Sequence, residues 1–320
     1  MDPSTANGQP LLADLRKDLA RVIEGQESVI DDLLVALVAG GHVLIEGVPG
    51  VAKTLLARSL SAALSATFSR IQFTPDMMPA DITGVNVFEP RSAEFRFRPG
   101  PLFADVVLAD EINRAPAKTQ SALLEAMQEG QVTIDGKTHS LSEVLTVLAT
   151  QNPIEYEGTY PLPEAQLDRF MMKIVVGYPA EEAERLMIAR MHRLGANVLH
   201  PEKVVEPVLS PGQLIEIRTA SHRIDVDESI VNYIVEIVRN SRSLSSLSLG
   251  ASPRAGVMLL RAAKALALVR GKTYVTPDDV RDIVLPVLRH RVRLTPEAEI
   301  EGLNADACLD SLMKRVTVPR

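Results

Sequence analysis

The sequence is poor in cysteine, in aromatic residues and in long apolar runs, and each scarcity excludes a class of protein. Cys308 is the only cysteine, which rules out an internal disulfide and a cysteine-rich zinc site. Seven Phe, five Tyr, no Trp and a formal net charge of −7 disfavour nucleic acid as a partner. The longest apolar run, LLVALVAGG, is too short to cross a bilayer, and MDPSTANGQP lacks the features of a signal peptide. We therefore expect a cytoplasmic protein without a membrane span.

The first half of the chain has the pattern of a layered α/β domain. Up to about residue 178, short apolar runs alternate with segments whose apolar residues recur at helical spacing. The runs are continuous rather than alternating with polar residues, which is typical of parallel strands covered on both faces. The predicted strands are 42–47, 69–74, 105–110, 145–151 and 171–177. We predict an α/β domain over residues 1–178.

The second half, residues 179–320, shows helical periodicity almost throughout. One predicted helix begins at Ser252 and Pro253 and ends at Gly271, and another begins at Thr276 with Pro277 in its first turn. A hydroxyl residue before proline is a common helix start, and glycine is a common stop. These segments predict a smaller all-helical domain.

A glycine-rich segment, GVPGVAKT, lies between the first predicted strand and a helix. This setting is typical of a phosphate-binding loop, in which backbone N–H groups and a helix amino terminus surround phosphate. In such a loop Lys53 would reach the β- and γ-phosphates and Thr54 would bind Mg²⁺. A tight turn with a solvent-facing lysine is the alternative. The predicted nucleotide contacts are Gly47, Val48, Pro49, Gly50, Val51, Ala52, Lys53, Thr54 and Leu55.

Ala52 departs from the usual pattern G-x-x-x-x-G-K-[ST], which has glycine at this position. A methyl group is tolerated if the residue has a negative φ and the methyl points away from the phosphates. If the segment is a phosphate loop, Ala52 is therefore expected to have a negative φ.

Two adjacent acids, Asp110 and Glu111, end the strand in DVVLADEINRA. Ligands of open α/β sheets collect at the carboxyl ends of the strands. One carboxylate there can hold Mg²⁺ while its neighbour polarises an attacking water. A charged pair at a strand end is often only solvated, but the upstream loop favours a hydrolytic site.

Three further polar residues have a local and a functional interpretation each. Asn152 could orient the attacking water or be a turn residue before Pro153. Arg169 could pair with Asp168 or be an arginine finger that reaches into a neighbouring subunit. Arg254 lies in the first turn of a helix, where a cation opposes the positive end of the helix dipole, a small cost that a bound phosphate would offset.

Two segments interrupt the α/β pattern as predicted hairpins, at about residues 84–101 and 131–141. The second has Asp135-Gly136 at a type I′ turn. For the charged residues of these hairpins, a role as solvated surface charge is favoured over direct contact with a threaded chain. A metal-ligand role for His139 is disfavoured because no Cys, His or acid cluster surrounds it. The charged hairpin residues are Arg91, Arg96, Arg98, Lys137 and His139.

The order of the motifs GVPGVAKT, LADEINRA, ATQNP, LPEAQLDRF and SPRA resembles that of the MoxR family of AAA+ ATPases, over about residues 20–320. The resemblance implies a three-layer P-loop domain with a parallel sheet, followed by a helical lid, and a phosphate loop in which alanine at position 52 is common. It implies that Asn152 is a sensor of the γ-phosphate, Arg169 the trans-acting finger and Arg254 a second sensor. Gly25 and Gln26 match the segment that lies near adenine in such proteins.

The resemblance also implies an activity and partners. An ATP-hydrolysing ring, expected to be a hexamer, would use ATP and Mg²⁺ to remodel or activate a protein client. A separate protein with a von Willebrand A domain is an expected partner. The alternatives are a magnesium chelatase-like motor subunit, a DNA helicase-type motor and a non-catalytic nucleotide-binding scaffold. The acidic charge argues against the helicase, and the intact polar residues argue against the scaffold.

Overall fold

The computed structural model describes residues 3–48, 50–152, 159–194 and 205–319. Pro49 of the predicted phosphate loop lies outside them. The elements up to residue 176 are, in chain order, α1 (Pro3–Ala20), α2 (Glu27–Val38), β1 (Val43–Gly47), α3 (Lys53–Ala63), β2 (Phe68–Gln72), α4 (Pro79–Thr83), β3 (Gly84–Glu89), β4 (Glu94–Pro99), β5 (Val106–Asp110), a 3₁₀ turn (Ile112–Arg114), α5 (Ala117–Glu129), β6 (Gln131–Ile134), β7 (Lys137–Ser140), β8 (Thr146–Gln151), α6 (Glu164–Leu167) and β9 (Met172–Val176).

The second half of the described chain is mainly helical. Its elements are α7 (Glu181–Leu194), α8 (Pro211–His222), α9 (Glu228–Ser241), β10 (Leu247–Leu249), α10 (Pro253–Val269), α11 (Pro277–Leu288), β11 (Arg293–Leu294), α12 (Pro296–Ile300) and α13 (Ala305–Met313). One small antiparallel sheet, β10 with β11, interrupts the helices of this half.

The central sheet has five parallel strands in the order β2-β5-β8-β1-β9. These are the five predicted strands, and all of them carry mostly buried side chains except the edge strand β2. Successive residues of β1 point to opposite faces of the sheet. Leu44 joins the apolar cluster on the α5 face, while Val43 and Ile45 join the cluster on the other face. The sheet is therefore buried on both sides, as its continuous apolar strands predict.

The lid is packed directly onto one face of this layered domain. A single cluster of buried apolar side chains runs from α1, α2 and the sheet into α8, α10 and α11. The start of α10 is capped by Ser252, whose hydroxyl accepts the N–H of Ala255 at 3.1 Å. Since α10 contacts α2, α8, α9 and α11, its position depends on most of the lid.

Two antiparallel hairpins project from the α5 side of the domain, β3 with β4 and β6 with β7. The tip residues Asp135 and Gly136 both have positive φ, the conformation of a type I′ turn. The hairpins contact each other, because Asn86 Nδ2 donates to Asp135 Oδ2 at 2.6 Å and the Phe97 ring stacks on His139 with centroids 3.9 Å apart. Among the described residues, no helix is long and apolar enough to cross a membrane.

Candidate functional site

The phosphate loop connects the carboxyl end of β1 to the first turn of α3. Gly47 is packed so tightly that a Cβ there would lie 2.5 Å from the carbonyl oxygen of Val176 in β9. Gly50 has φ of 86°, which side chains disfavour, and a Cβ there would meet nothing within 4 Å. The two glycines thus have different roles. Gly47 lets β1 and β9 approach each other, and Gly50 permits a left-handed backbone beside open space.

Ala52 does not have the negative φ expected from the sequence. Its φ is 60° and its ψ is 22°, so it occupies the left-handed region just before α3 begins. For a residue with a Cβ this conformation costs about 1–2 kcal/mol. The expectation was wrong because the loop requires the backbone turn that glycine usually supplies, and alanine adopts the same turn under strain.

The amino terminus of α3 has the properties of an anion site. No side chain in the described part of the chain caps it, so its first N–H groups have neither an intrahelical nor a side-chain capping partner there. Lys53 begins the helix, and its Nζ donates to the carbonyl oxygen of Gly47 at 2.8 Å. Burial lowers the pKa of Lys53 from its usual value, and the carboxylates of Asp110 and Glu111 act in the opposite direction. Thr54 follows, half-buried in the first turn, with Leu55 beside it.

Asp110 ends β5 and is held by two side chains from the neighbouring strands. Thr150 Oγ1 of β8 donates to its Oδ1 at 2.6 Å. Arg70 of β2 donates to Oδ2 through Nη2 at 2.7 Å and forms an ion pair with it. Asp110 is therefore fixed in orientation at the carboxyl end of the sheet.

Glu111 follows in a left-handed conformation, with φ of 58° and ψ of 49°. Its N–H donates to Thr150 Oγ1 at 2.9 Å, so Thr150 bridges both acids. Its Oε2 accepts from Gln72 Nε2 at 2.9 Å and from Arg114 Nη1 at 3.0 Å. The left-handed backbone of Glu111 ends the extended line of β5, whose last residue is Asp110.

Asn152 follows β8 directly and is buried, with 7% of its surface exposed. β8 lies between β5 and β1 in the sheet, so Asn152 emerges between the acids and the phosphate loop. Four further side chains at this edge were not predicted from the sequence: Arg70, Gln72, Arg114 and Thr150. Thr150 lies near the carboxyl end of the buried strand β8, and that position was a signal for it. Arg70 and Gln72 lie on the edge strand β2 and Arg114 in the 3₁₀ turn, where a polar residue carries no such signal.

Gly25 and Gln26 lie at the same edge of the sheet, beyond β9. Gln26 Nε2 donates to the carbonyl oxygen of Gly177 at 3.4 Å. A Cβ at Gly25 would lie 2.3 Å from the Cβ of Ala183, so α7 packs directly over this turn. Because Gly47 touches Val176, the residue before Gly177, the turn is close to the phosphate loop.

Arg169 and Arg254 lie at the opposite edge, beside the amino ends of the strands. Both line a cavity of about 270 Å³ together with His42 and Met171, the residues that precede β1 and β9. Arg169 also lines a second cavity of about 350 Å³ and donates from Nη1 to the carbonyl oxygen of Leu124 at 2.8 Å. The structure therefore brings these two arginines together but separates them from the phosphate loop of their own chain.

The partner of Asp168 is Arg291, not Arg169. Arg291 Nε donates to Asp168 Oδ1 at 2.7 Å, and the Ser252 hydroxyl donates to Oδ2 at 3.2 Å. The local explanation of Arg169, an ion pair with its neighbour, is thus excluded by the geometry.

The hairpin charges are distributed over an exposed surface. Arg91, Arg96, Arg98 and Lys137 are exposed, whereas His139 is half-buried beneath its stacked phenylalanine. Phe88 and Phe95 pair with ring centroids 5.4 Å apart, yet they remain 50% and 71% exposed. The outer end of the β3–β4 hairpin therefore combines cations with unburied aromatic rings.

Comparison with known proteins shows how far this arrangement is shared. Residues 42–172 match the ATPase family associated with various cellular activities (AAA), and residues 239–312 match the AAA lid domain. The chaperone MoxR1 of Mycobacterium tuberculosis is 44% identical over 312 residues, covering 95% of this chain and 81% of the relative. The uncharacterized protein YeaC of Bacillus subtilis is 46% identical over 310 residues, covering 97% and 95%.

The fold is also shared with a protein of known structure. A candidate ATPase from Cytophaga hutchinsonii superposes with a TM-score of 0.91 at 39% identity, covering 100% of this chain and 98% of that one. A more distant relative, the magnesium-chelatase subunit ChlI-1 of Arabidopsis thaliana, is 28% identical over 260 residues, or 57% of its length.

Proposed function

Because the chain belongs to the MoxR family of AAA+ ATPases and therefore hydrolyses ATP, we propose that it works as a ring whose subunits complete one another's nucleotide sites and remodel protein clients. The observation that carries the proposal is the separation of two sets of residues. Lys53, Asp110 and Glu111 lie at the carboxyl edge of the sheet, and Arg169 and Arg254 lie at the amino edge. A strand of five residues, such as β1, spans about 16 Å, so one chain cannot bring both sets to one phosphate.

The chemistry of the amino edge supports this arrangement. Arg169, Arg254 and Arg261 line the cavity of about 270 Å³, and no Asp or Glu is among its described lining residues. Burial and the positive charge of Arg254 lower the pKa of Arg261, and its Nε is buried without a hydrogen-bond partner in the described structure. A cationic cavity without acids favours an anion, and the γ-phosphate of a neighbour's ATP supplies one.

At the carboxyl edge, hydrolysis would proceed by in-line attack of water on the γ-phosphate. The first N–H groups of α3 and the Lys53 ammonium would bind the phosphates. Glu111 would accept hydrogen bonding from the attacking water and polarise it, with Asn152 orienting the water or the γ-phosphate. The neighbour's Arg169 would stabilise the charge that develops on the transferred group, with Arg254 as a second cation.

The residues present fit Mg²⁺ as well as ATP. Thr54 offers a hydroxyl oxygen and Asp110 a carboxylate, and both are the hard oxygen ligands that this ion prefers. The described residues form no group of three His, Cys, Asp or Glu that could hold a metal alone, which suits an ion bound largely by phosphates and water. When bound, Mg²⁺ would neutralise negative charge on the phosphate oxygens.

The paired hairpins are the proposed contact with the client. Phe88 and Phe95 are exposed apolar rings flanked by the cations Arg96 and Arg98, a surface that suits an unfolded or acidic protein segment. A separate protein with a von Willebrand A domain would couple hydrolysis to work on that client. The relationship to a magnesium-chelatase subunit makes a chelatase-like motor the second candidate.

Mixing two inactive variants tests the shared site. Lys53→Ala should lose nucleotide binding while keeping Arg169, and Arg169→Ala should bind nucleotide but not hydrolyse it. In mixed rings, about a quarter of the interfaces would join an intact nucleotide site to an intact arginine. We expect ATP hydrolysis, measured as phosphate release, to return on mixing and to be absent from each variant alone.

A matched control is the double variant Lys53→Ala/Arg169→Ala, which should rescue neither partner. Arg293→Ala, which removes an exposed arginine of the lid, should hydrolyse ATP normally without mixing. Full hydrolysis by isolated Arg169→Ala subunits would contradict the proposal, and so would the absence of any rescue in rings shown by light scattering to be mixed.

A further inference from the structure

Asp168 links the two segments that carry the arginines of the amino edge. It precedes Arg169 in the chain, and its Oδ2 accepts a hydrogen bond from the hydroxyl of Ser252 at 3.2 Å. Ser252 is the N-cap of α10, and Arg254 lies in the first turn of that helix. The carboxylate is therefore one residue from Arg169 and one hydrogen bond from the start of the helix that carries Arg254.

Arg291 fixes the backbone on both sides of Arg169. Its side chain, in the segment between α11 and β11, is only 1% exposed. Besides the ion pair with Asp168, its guanidinium donates to the carbonyl oxygens of Asp168 at 3.3 Å, Phe170 at 2.5 Å and Met171 at 3.0 Å. The planar group of arginine can make all these bonds at once because its five N–H donors have a fixed geometry. The backbone at Arg169 therefore cannot move relative to the lid without breaking hydrogen bonds to Arg291.

The pair of Asp168 and Arg291 adds a buried ionic contact to a lid that apolar contacts already hold against the sheet. Burial lowers the pKa of Arg291, and the hydrogen bond to Asp168 acts in the opposite direction, as expected for a buried cation that depends on one carboxylate. Other lid contacts are supplied by the apolar cluster shared with α1, α2 and the sheet. What the pair adds is a fixed relation between two arginines that must reach the same phosphate.

We propose that Asp168 and Arg291 are positioning residues that hold Arg169 and Arg254 in register, so that a lid displacement moves both arginines together at the neighbour's ATP. The inference rests on the proposed function, in which both arginines act in trans. It predicts that weakening the pair lowers turnover at the neighbouring site while the nucleotide site of the altered chain remains intact.

Asp168→Asn tests this with a matched control four residues away. The variant keeps the size and an acceptor oxygen of Asp168 but removes its charge. Glu164→Gln makes the same change in the same segment, where Glu164 pairs with Arg293 at 3.1 Å but both side chains are more than half exposed. Exposed pairs contribute little, so the control should keep its rate within about two-fold.

For Asp168→Asn we expect kcat in assembled rings to fall on the order of ten-fold or more, since small misplacements of a transition-state group are costly. The affinity of dilute subunits for a fluorescent ATP analogue should be unchanged, and light scattering should show rings. Arg291→Lys, which keeps the charge but cannot reach the three carbonyl oxygens, should give a similar loss.

Mixing separates failure of this inference from failure of the proposed function. Asp168→Asn subunits should regain hydrolysis when mixed with Lys53→Ala subunits, which contribute an intact amino edge. If Lys53→Ala and Arg169→Ala complement but Asp168→Asn has a normal kcat, only the positioning role is overturned. Lost nucleotide affinity or lost assembly in Asp168→Asn would assign the pair to folding and also overturn it.

Discussion

The two edges of the central sheet differ in whether their polar groups are satisfied within one chain. At the carboxyl edge, the acids are held by side chains from adjacent strands, and Thr150 alone contacts both Asp110 and Glu111. At the amino edge, Arg169, Arg254 and Arg261 line an acid-free cavity among the described residues, and Arg169 is bonded to a backbone carbonyl. The first edge is preorganised by the chain itself, whereas the cavity of about 270 Å³ at the second edge has three arginines and no acid among its described lining residues.

In the proposed ring, this difference would divide the work between neighbouring subunits. Preorganised dipoles and charges are most effective when they need not rearrange during the reaction, which suits residues that activate water and bind phosphate. A cation supplied from outside can instead make hydrolysis depend on assembly. The carboxyl edge offers the phosphate loop and the acids, and the amino edge offers Arg169 and Arg254, so two copies placed edge to edge would bring these groups together in one site.

The largest effect that would sharpen this comparison is expected from Glu111→Gln at the carboxyl edge. The amide keeps the shape and can still bond Gln72, but it is a poor general base, so kcat should fall on the order of 10³-fold. ATP binding should persist, because the phosphate loop is unchanged. Phosphate release gives the rate, and light scattering with ATP should show a stable ring.

A suitable control for that experiment is Glu301→Gln, which changes an exposed glutamate at the end of α12 in the lid. It should hydrolyse ATP at the normal rate. Normal turnover in Glu111→Gln would remove this residue from the mechanism, and a persistent monomer would indicate that ATP does not bridge the two edges.

The two edges also differ in how well sequence predicted them. The five strands, the phosphate loop and the acids were identified because they are local patterns: a loop of eight residues and a strand that ends in two acids. The placement of Arg169 beside Arg254 could not be predicted in this way, since it depends on how the lid packs against the sheet. The same is true of the Asp168 and Arg291 pair, whose members are 123 residues apart.

Details of the carboxyl edge escaped prediction for another reason. Arg70 and Gln72 lie on β2, an edge strand in which polar residues are unremarkable, and only the register of β2 with β5 brings them to the acids. The φ of Ala52 was predicted incorrectly because the prediction considered only how the methyl group would avoid the phosphates. It left out the backbone turn that the loop requires. Register and backbone turns are set by the whole sheet and loop.

A smaller effect is expected from Arg70→Ala, which tests whether the carboxyl edge is fully prepared for a metal ion. Arg70 Nη2 lies 2.7 Å from Asp110 Oδ2, where its charge competes with any cation that Asp110 binds. Removing it should lower the Mg²⁺ concentration needed for half-maximal ATP-analogue binding by a few-fold, since a partly exposed pair is weak. Fluorescence titration with Mg²⁺ measures this without requiring turnover.

Arg16→Ala is the matched control for Arg70→Ala, because it removes another partly exposed arginine paired with an aspartate, Asp31, outside the site. It should leave the Mg²⁺ titration unchanged. A higher Mg²⁺ requirement in Arg70→Ala would instead mean that the arginine orients Asp110 for the metal, and that the competition argument is wrong.

The smallest effect is expected from Ala52→Gly, which asks whether the turn of the loop is held under strain. Relief of the left-handed strain, about 1–2 kcal/mol, is offset by the extra chain entropy of glycine, about 0.4–1 kcal/mol, so stability should stay level or rise by up to about 1.6 kcal/mol. Ala57→Gly makes the same change in the buried interior of α3 and should destabilise by about 1 kcal/mol or more. Urea unfolding of both variants measures the difference, and a loss of stability in Ala52→Gly equal to that in Ala57→Gly would show that Ala52 is unstrained. Nucleotide affinity should be preserved in Ala52→Gly, because the backbone turn that presents the N–H groups of α3 to phosphate is the one glycine adopts most readily.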